Sequence, residues 1–355
     1  MSTYRGSPGS SKKKRCAPMS NVVSVSPPSN GTLDSPSCSV QPIITLDSTE
    51  QAARMVALQS FQFRHRLGNS PLLSFPMVRE ITKRLLDQRR FDQVLFDSGL
   101  PGSSPKKADE SSGKDILDSL DQYESRRAWL RLTRIDEVAP ELKDIVSQFC
   151  QDLSELHKRD IRREVIKTFT TLFVSSPGAV TSYHLDHTWN YLLQISGSKT
   201  VHLFDPNDPR VLTQVDKENW YGQRTGTSRK QGVSGISYDL GPGDGVHHPV
   251  NAPHWVQNGS DVSISLSLGL CLLQSTRDGQ VYQVNYLLRR LGLKPRPPRS
   301  SAWRDSLKLS FIRMVSDRSP SSFDDVLFSG MYRLRRIMRM AGLSRFATVK
   351  RVELT

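Results

Sequence analysis

The sequence predicts a mainly β core, an antiparallel barrel or double-sheet jelly roll, preceded by helices and followed by a basic helical region. Three observations carry that expectation. From residue 164 onward the apolar pattern drops from helical spacing to a two-residue period. Turn signals then cut this β-rich stretch into short segments. The positive charge gathers elsewhere: of a net +14, the stretch 281–355 carries +11, from sixteen Lys/Arg against five Asp/Glu.

Residues 1–45 are rich in Ser, Pro and Gly and show no periodicity. They bury too little apolar surface to offset the entropy of ordering, and a disordered tail is expected. Its KKKR run at 12–15 is too short to specify nucleic acid. Positive charge at the start has no apolar stretch after it, so it does not read as a secretory signal. A helical N-terminal region is expected over 46–163. One helix starts near Pro76, two residues after Ser74, with Met77, Ile81 and Leu85 at helical spacing. Residues 98–114 read as a flexible loop. Val138, Leu142, Ile145, Phe149, Leu153 and Leu156 then form one apolar stripe that should pack on a sheet.

The barrel is expected over 164–275. Residues 164–174, 189–195 and 199–204 are β-rich. The clearest strand is 262–270, where Val262, Ile264, Leu266, Leu268 and Leu270 alternate with Ser263, Ser265, Ser267 and Gly269. Ser196-Gly197, residues 205–209 (DPNDP) and residues 241–245 (GPGDG) mark turns. Residues 276–355 are expected to form the basic helical region, with a linker at 293–301 and an amphipathic basic helix over 328–343.

No run of about 18 apolar residues exists, so no membrane span is expected. The four cysteines form no CxxC pair, and Cys150 and Cys271 sit in apolar patterns as buried thiols. That usage points to a reducing, cytoplasmic setting.

Residues 181–206 read TSYHLDHTWNYLLQISGSKTVHLFDP. His184 and Asp186 are two apart, and on a strand such residues share a face. A second histidine must come from elsewhere. Residues 241–259, GPGDGVHHPVNAPHWVQNG, offer His254, with His247 and His248 as rivals. Two histidines and one carboxylate on one face of an ion leave the opposite positions open, as in non-haem Fe(II) oxygenases. A closed structural zinc site would instead call for four protein ligands, usually including thiolates, and no cysteine lies near.

With these residues in order, 181–270 resembles the JmjC/cupin-like family of Fe(II)- and 2-oxoglutarate-dependent oxygenases, close in pattern to its asparaginyl-hydroxylase branch. The matching features are His184-Leu185-Asp186, Asn190, Lys199 after Ser196-Gly197, and Gly243-Asp244, Pro249 and His254 in sequence. The resemblance implies a double-stranded β-helix, the jelly-roll or cupin barrel. It implies that His184, Asp186 and His254 bind Fe(II). It further implies that Lys199 pairs with the distal carboxylate of 2-oxoglutarate, that Thr181 hydrogen-bonds the same carboxylate, and that Asn190 sits near the iron. The chain departs from the pattern on the last strand, where Ser267 stands at a position that often carries a side-chain amide.

The function so implied is hydroxylation of a protein or small-molecule substrate. The alternative is a non-catalytic metal-binding cupin acting in regulation or with nucleic acid. The basic C-terminal region is read as a contact for nucleic acid or an acidic surface, as a solvated helical face, or as part of the fold or a homodimer interface. Of the other histidines, His187 is expected beside the site or exposed, His202 within the barrel wall, and His65 and His157 on the surface. Trp189 and Trp255 are expected to pack the barrel. Trp220, Tyr221 and Arg224, in the long 205–240 loop, are placed at its entrance.

Overall fold

The computed structural model describes residues 41–56, 58–97, 105–123, 129–223, 228–316 and 323–340. The KKKR run, Cys16, Cys38, Arg224 and residues 341–343 lie outside the described residues. Before the barrel come strands β1 (Ile44–Thr45), β2 (Phe61–His65), β3 (Val94–Asp97), β4 (Lys106–Lys107) and β5 (Trp129–Thr133). Interleaved with them are helices α1 (Thr49–Val56), α2 (Phe75–Asp87), α3 (Gly113–Asp121) and α4 (Glu141–Leu156). The barrel strands are β6 (Val165–Ser175), β7 (Val180–His184), β8 (Trp189–Ser196) and β9 (Lys199–Leu203), then β10 (Ile236–Leu240), β11 (Asp244–His248), β12 (His254–Asn258) and β13 (Ser263–Leu272). Helix α5 (Gln214–Gln223) lies between β9 and β10, and α6 (Leu273–Arg290), α7 (Ala302–Val315) and α8 (Phe323–Met340) follow β13.

The barrel is a jelly roll. One wall has the order β11-β8-β13-β6 and the other β10-β9-β12-β7, all antiparallel. Neighbours such as β7 and β12 are far apart in sequence because the chain crosses between walls, as a double-sheet roll requires. The first wall is extended by β1 and β2 beyond β11 and by β5, β3 and β4 beyond β6. Thus the stretch expected to be helical also contributes strands. They are two to five residues long, too short for periodicity to declare them. Ile43 and Ile44, within the stretch read as a disordered tail, are buried, and Asp152 of α4 accepts hydrogen bonds from both backbone amides.

The alternation on β13 has a defined direction. Ile264, Leu266, Leu268 and Leu270 face out of the barrel, into a core shared with Leu142, Ile145, Phe149 and Leu153 of α4. The serines face inward. Ser263 bonds Asn258, Ser265 bonds Gln194, and Ser267 bonds Asn190. The inner apolar cluster is smaller and comprises Leu192, Val201, Leu203, Tyr238, Leu240, Val246 and Ala252. The barrel is therefore greasy outside, where helices cover it, and partly polar within.

After the barrel, α6 starts directly from β13. Leu327 and Phe328 of α8 are buried against Trp220 and Tyr221 of α5, and Gln283 of α6 donates to the Leu327 carbonyl at 2.9 Å. The other side of α8 exposes Arg333, Arg336 and Arg339. No helix among the described residues is long and apolar enough to cross a membrane.

His65, expected on the surface, is instead 7% exposed in β2, where its Nε2 meets the Asp244 carbonyl and its Nδ1 accepts from the Leu67 amide. The FQFRH segment places Phe61, Phe63 and His65 on one buried face, and burial drives the imidazole pKa down to about 4. His157 is half-buried, its ring 5.5 Å from that of Trp189.

Asn258 stitches the two walls together at the end of β12. Its amide donates to the carbonyls of Ser175, Ser176 and Asp261, and its oxygen accepts from Ser263. Replacing it leaves several buried acceptors unmatched. Asn258→Ala is expected to lower the unfolding free energy by about 2–4 kcal/mol, read from urea denaturation.

Candidate metal centre

His184 ends β7 and His254 begins β12, and the two are paired residues in the register of these strands. Their rings lie 4.2 Å apart between centroids. Just beyond this pair the register shifts, so that Ser182 and Tyr183 together oppose Trp255. A bulge of that kind re-aims side chains. Here it lets Thr181, opposite Val256, and His184, opposite His254, share the inner face although they are three residues apart.

Asp186 lies past the end of β7 rather than on it. The loop places it: the Asn251 amide donates to the Asp186 carbonyl at 2.8 Å, and Asn251, at φ +65°, is itself held by Tyr221 Oη at 2.7 Å. The Asp186 carboxylate lies 3.9 Å from His254 Nε2 and accepts from Asn190 Nδ2 at 3.3 Å. One ligand atom from each of His184, Asp186 and His254 falls within 4.8 Å of the others. An ion with bonds of about 2.0–2.2 Å to N and O donors closes that gap with small side-chain movements.

The protonation states suit ligation. His184 Nδ1 faces the Ser182 carbonyl at 2.8 Å, and His254 Nδ1 faces the Ala252 carbonyl at 2.9 Å. A carbonyl accepts only from an N–H, so Nδ1 is the donor in each ring, and the neutral tautomer of such a ring keeps its lone pair on Nε2. Burial, reinforced by nearby His184, holds the His254 pKa at about 4, so its ring is neutral at pH 7. Burial opposes ionisation of Asp186, but the neighbouring histidines and the Asn190 hydrogen bond outweigh it and lower its pKa. Neutral imidazoles and an ionised carboxylate are the forms that bind a metal. No cysteine belongs to this cluster.

Asn190 is fixed from behind, since Ser267 Oγ donates to its Oδ1 at 2.5 Å and so turns its amide nitrogen toward Asp186. Ser267 thus orients Asn190 from the neighbouring strand, a role visible only once β13 and β8 are paired. Lys199 begins β9 on the inner face, opposite Asn258, while Leu203 at the other end of that strand is opposite His254. Four residues of strand put roughly 13 Å between the two positions. Lys199 is 5% exposed, and burial alone brings its pKa down to about 7. Among the described residues no carboxylate faces its ammonium.

His187 is buried beside the site, between the rings of Trp220 at 5.8 Å and Phe328 at 5.6 Å. This places α5 and α8 against the loop that carries Asp186. His202 stacks on Trp255 at 3.9 Å, and Trp189 is part of the outer core. His247 points out of the barrel toward Tyr191 and Phe61. His248 points inward, its ring 4.5 Å from that of His254. Sequence reasoning weighed it only as a rival ligand and had no signal for its place next to the trio.

A family model described as a cupin-like domain matches residues 48–315. The chain belongs to the cupin-like domain family. No curated protein matches it significantly. Solved structures resembling this cupin-like chain share little sequence with it. YcfD, a ribosomal oxygenase from Escherichia coli, in complex with cobalt and 2-oxoglutarate, is 13% identical over 85% of this chain and 68% of that one, at a TM-score of 0.44. Its complex with cobalt and succinic acid is 14% identical over 79% and 69%, at 0.42. A match among DMSP lyase structures (RdDddP and RnDddQII) is 19% identical, at a TM-score of 0.21, and this chain spans 40% of that chain's length with 30% of its own.

The buried ammonium sets a pH-dependent stability. The Lys199 pKa is about 7 in the fold against 10.5 for the ordinary group. Below pH 7 the folded chain carries the buried charge and the full cost applies, on the order of a few kcal/mol. Between pH 7 and 10.5 only the unfolded chain holds the proton, so stability climbs with pH, and above 10.5 the difference vanishes. Lys199→Met is expected to raise the Tm of the metal-free protein, most at pH 6 and least at pH 10, in thermal melts across that range.

Proposed function

We propose that this chain is an Fe(II)- and 2-oxoglutarate-dependent oxygenase that hydroxylates a protein or small-molecule substrate. The observation that carries the reading is a pair of features in one interior. At one end, His184, Asp186 and His254 supply two imidazoles and a carboxylate, the facial donor set that suits Fe(II) and leaves positions open. At the other, Lys199 is buried with no acidic partner among the described residues. An ammonium in such a place needs an anion, and a small dicarboxylate chelated at the metal end supplies one.

When bound, Fe(II) with 2-oxoglutarate and O₂ would supply oxidative decarboxylation coupled to hydroxylation: 2-oxoglutarate, O₂ and R–H give succinate, CO₂ and R–OH. The chain's own groups bind and orient. His184 and His254 present Nε2 atoms whose direction is set by the carbonyls of Ser182 and Ala252. Asn190 holds one oxygen of Asp186, and Ser267 keeps Asn190 from turning. Lys199 and Thr181 receive the distal carboxylate. The apolar lining of Leu192, Val201, Leu203 and Val256 excludes water between the two polar ends. Trp220 and Phe328 pack against His187, and Tyr221 holds Asn251 on the Asp186 side.

Purified full-length protein with Fe(II), 2-oxoglutarate, O₂ and a panel of peptide and small-molecule substrates is expected to release succinate. His184→Ala and Asp186→Ala are each expected to cut that release by about two orders of magnitude or more. No succinate from the wild type, together with no 2-oxoglutarate binding to metal-loaded protein, would instead leave a metal-binding cupin without this catalysis.

A further inference from the structure

His248 is the last residue of β11 and lies on its inner face, two positions from the core residue Val246. It is 3% exposed, and neither Nδ1 nor Nε2 has a hydrogen-bond partner. Its cross-strand neighbour Asn190 makes no hydrogen bond to it, the amide being turned to Asp186 on one side and Ser267 on the other. The contrast with the ligands is direct. His184 and His254 each have Nδ1 satisfied by a carbonyl and Nε2 free for a metal. His248 is as buried as His254 and has no carbonyl partner on either nitrogen.

Buried polar groups are almost always hydrogen-bonded, and an exception next to a binding site points to a group that arrives with the ligand. Two further facts say where that group sits. His248 comes from the wall opposite β7 and β12, so it approaches the metal from across the barrel. It also stands outside the set whose ligand atoms cluster within 4.8 Å, so it is not a fourth member of the trio. A neutral imidazole carries one N–H donor. On that side such a ring would face an oxygen of a ligand held by the trio.

We infer that His248 is a binding residue for the metal-chelating end of the cosubstrate, donating a ring N–H to an oxygen of the 2-oxo-carboxylate head. The assignment rests on the proposed use of 2-oxoglutarate. It divides the interior into two anion contacts: Lys199 for the distal carboxylate and His248 for the head.

Full-length protein loaded with Mn(II) tests this by titration calorimetry with 2-oxoglutarate and with 2-oxobutyrate, which keeps the 2-oxo acid head and lacks the distal carboxylate. His248→Phe is expected to leave Mn(II) affinity within about threefold and to weaken both 2-oxo acids by about tenfold, the worth of one hydrogen bond. Lys199→Met should weaken 2-oxoglutarate alone and leave 2-oxobutyrate unchanged. His248→Gln, which retains an N–H donor, should bind within about threefold of the wild type. If the phenylalanine variant does not fold, His248→Leu carries the same comparison. Unchanged affinities in folded His248→Phe overturn the assignment. So do equal losses in the phenylalanine and glutamine variants, which would indicate shape rather than a hydrogen bond. A loss of Mn(II) binding of about a hundredfold would make His248 a ligand and overturn it as well. Should the wild type bind no 2-oxo acid at all, the proposed function fails and this inference with it; binding that ignores His248 removes the inference alone.

Discussion

A cation inside a closed barrel is tolerated where an anion is brought to it, and the interior of this chain is arranged around that constraint. Lys199 sits at the inner end of β9, buried, with its pKa drawn down to about 7 by desolvation. An apolar side chain at that position would carry no such cost, and in the proposed function an anionic ligand offsets it. In that reading the ligand is held at the other end of the same strand pairings, where His184, Asp186 and His254 form a cluster that could hold a metal ion.

Much of the surrounding structure keeps those two ends in place. The β7 bulge sets Thr181 and His184 on one face. Asn258 locks the far end of β12 to the opposite wall, next to Lys199. Ser267 and Asn190 form a short chain ending on Asp186, and Tyr221 with Asn251 braces the Asp186 backbone from the rim. The Asp186 brace reaches into the helical layer, because Tyr221 belongs to α5 and stacks at 5.4 Å on Tyr282 of α6. Phe328 of α8 closes on His187 from the same side. The basic C-terminal region is therefore joined to this helical layer through the apolar face of α8, with Arg333, Arg336 and Arg339 facing outward and Arg335 turned in to donate to the Gly222 carbonyl.

The parts of this arrangement that were legible in the sequence are those written as local patterns. The α4 stripe from Leu142 to Leu153, the period-two run of β13, and the jelly-roll class of the core all follow from periodicity and turns. The spacing of His184, Asp186, Asn190 and Lys199 sits in one 16-residue stretch and could be read directly. What periodicity does not encode is which side of a strand faces which core. On β13 either the leucines or the serines could have lined the barrel, and the covering helices decide for the serines. Strands β1, β3 and β4 have two to four residues and borrow their order from neighbours. His65 and His248 look alike as lone histidines. The first has two partners, the Asp244 carbonyl across the sheet and the nearby Leu67 amide, and the second has none.

The claim that the Lys199 charge is matched by the ligand has a direct signature in proton linkage. An ammonium with a pKa near 7 is mostly neutral at pH 8, and an anion placed against it restores the proton. Calorimetry of 2-oxoglutarate binding to Mn(II)-loaded protein at pH 8, in two buffers of different ionisation enthalpy, counts the protons exchanged. The account predicts uptake of about one proton per ligand in the wild type and about none in Lys199→Met. Tight binding by the wild type with no proton uptake would contradict it.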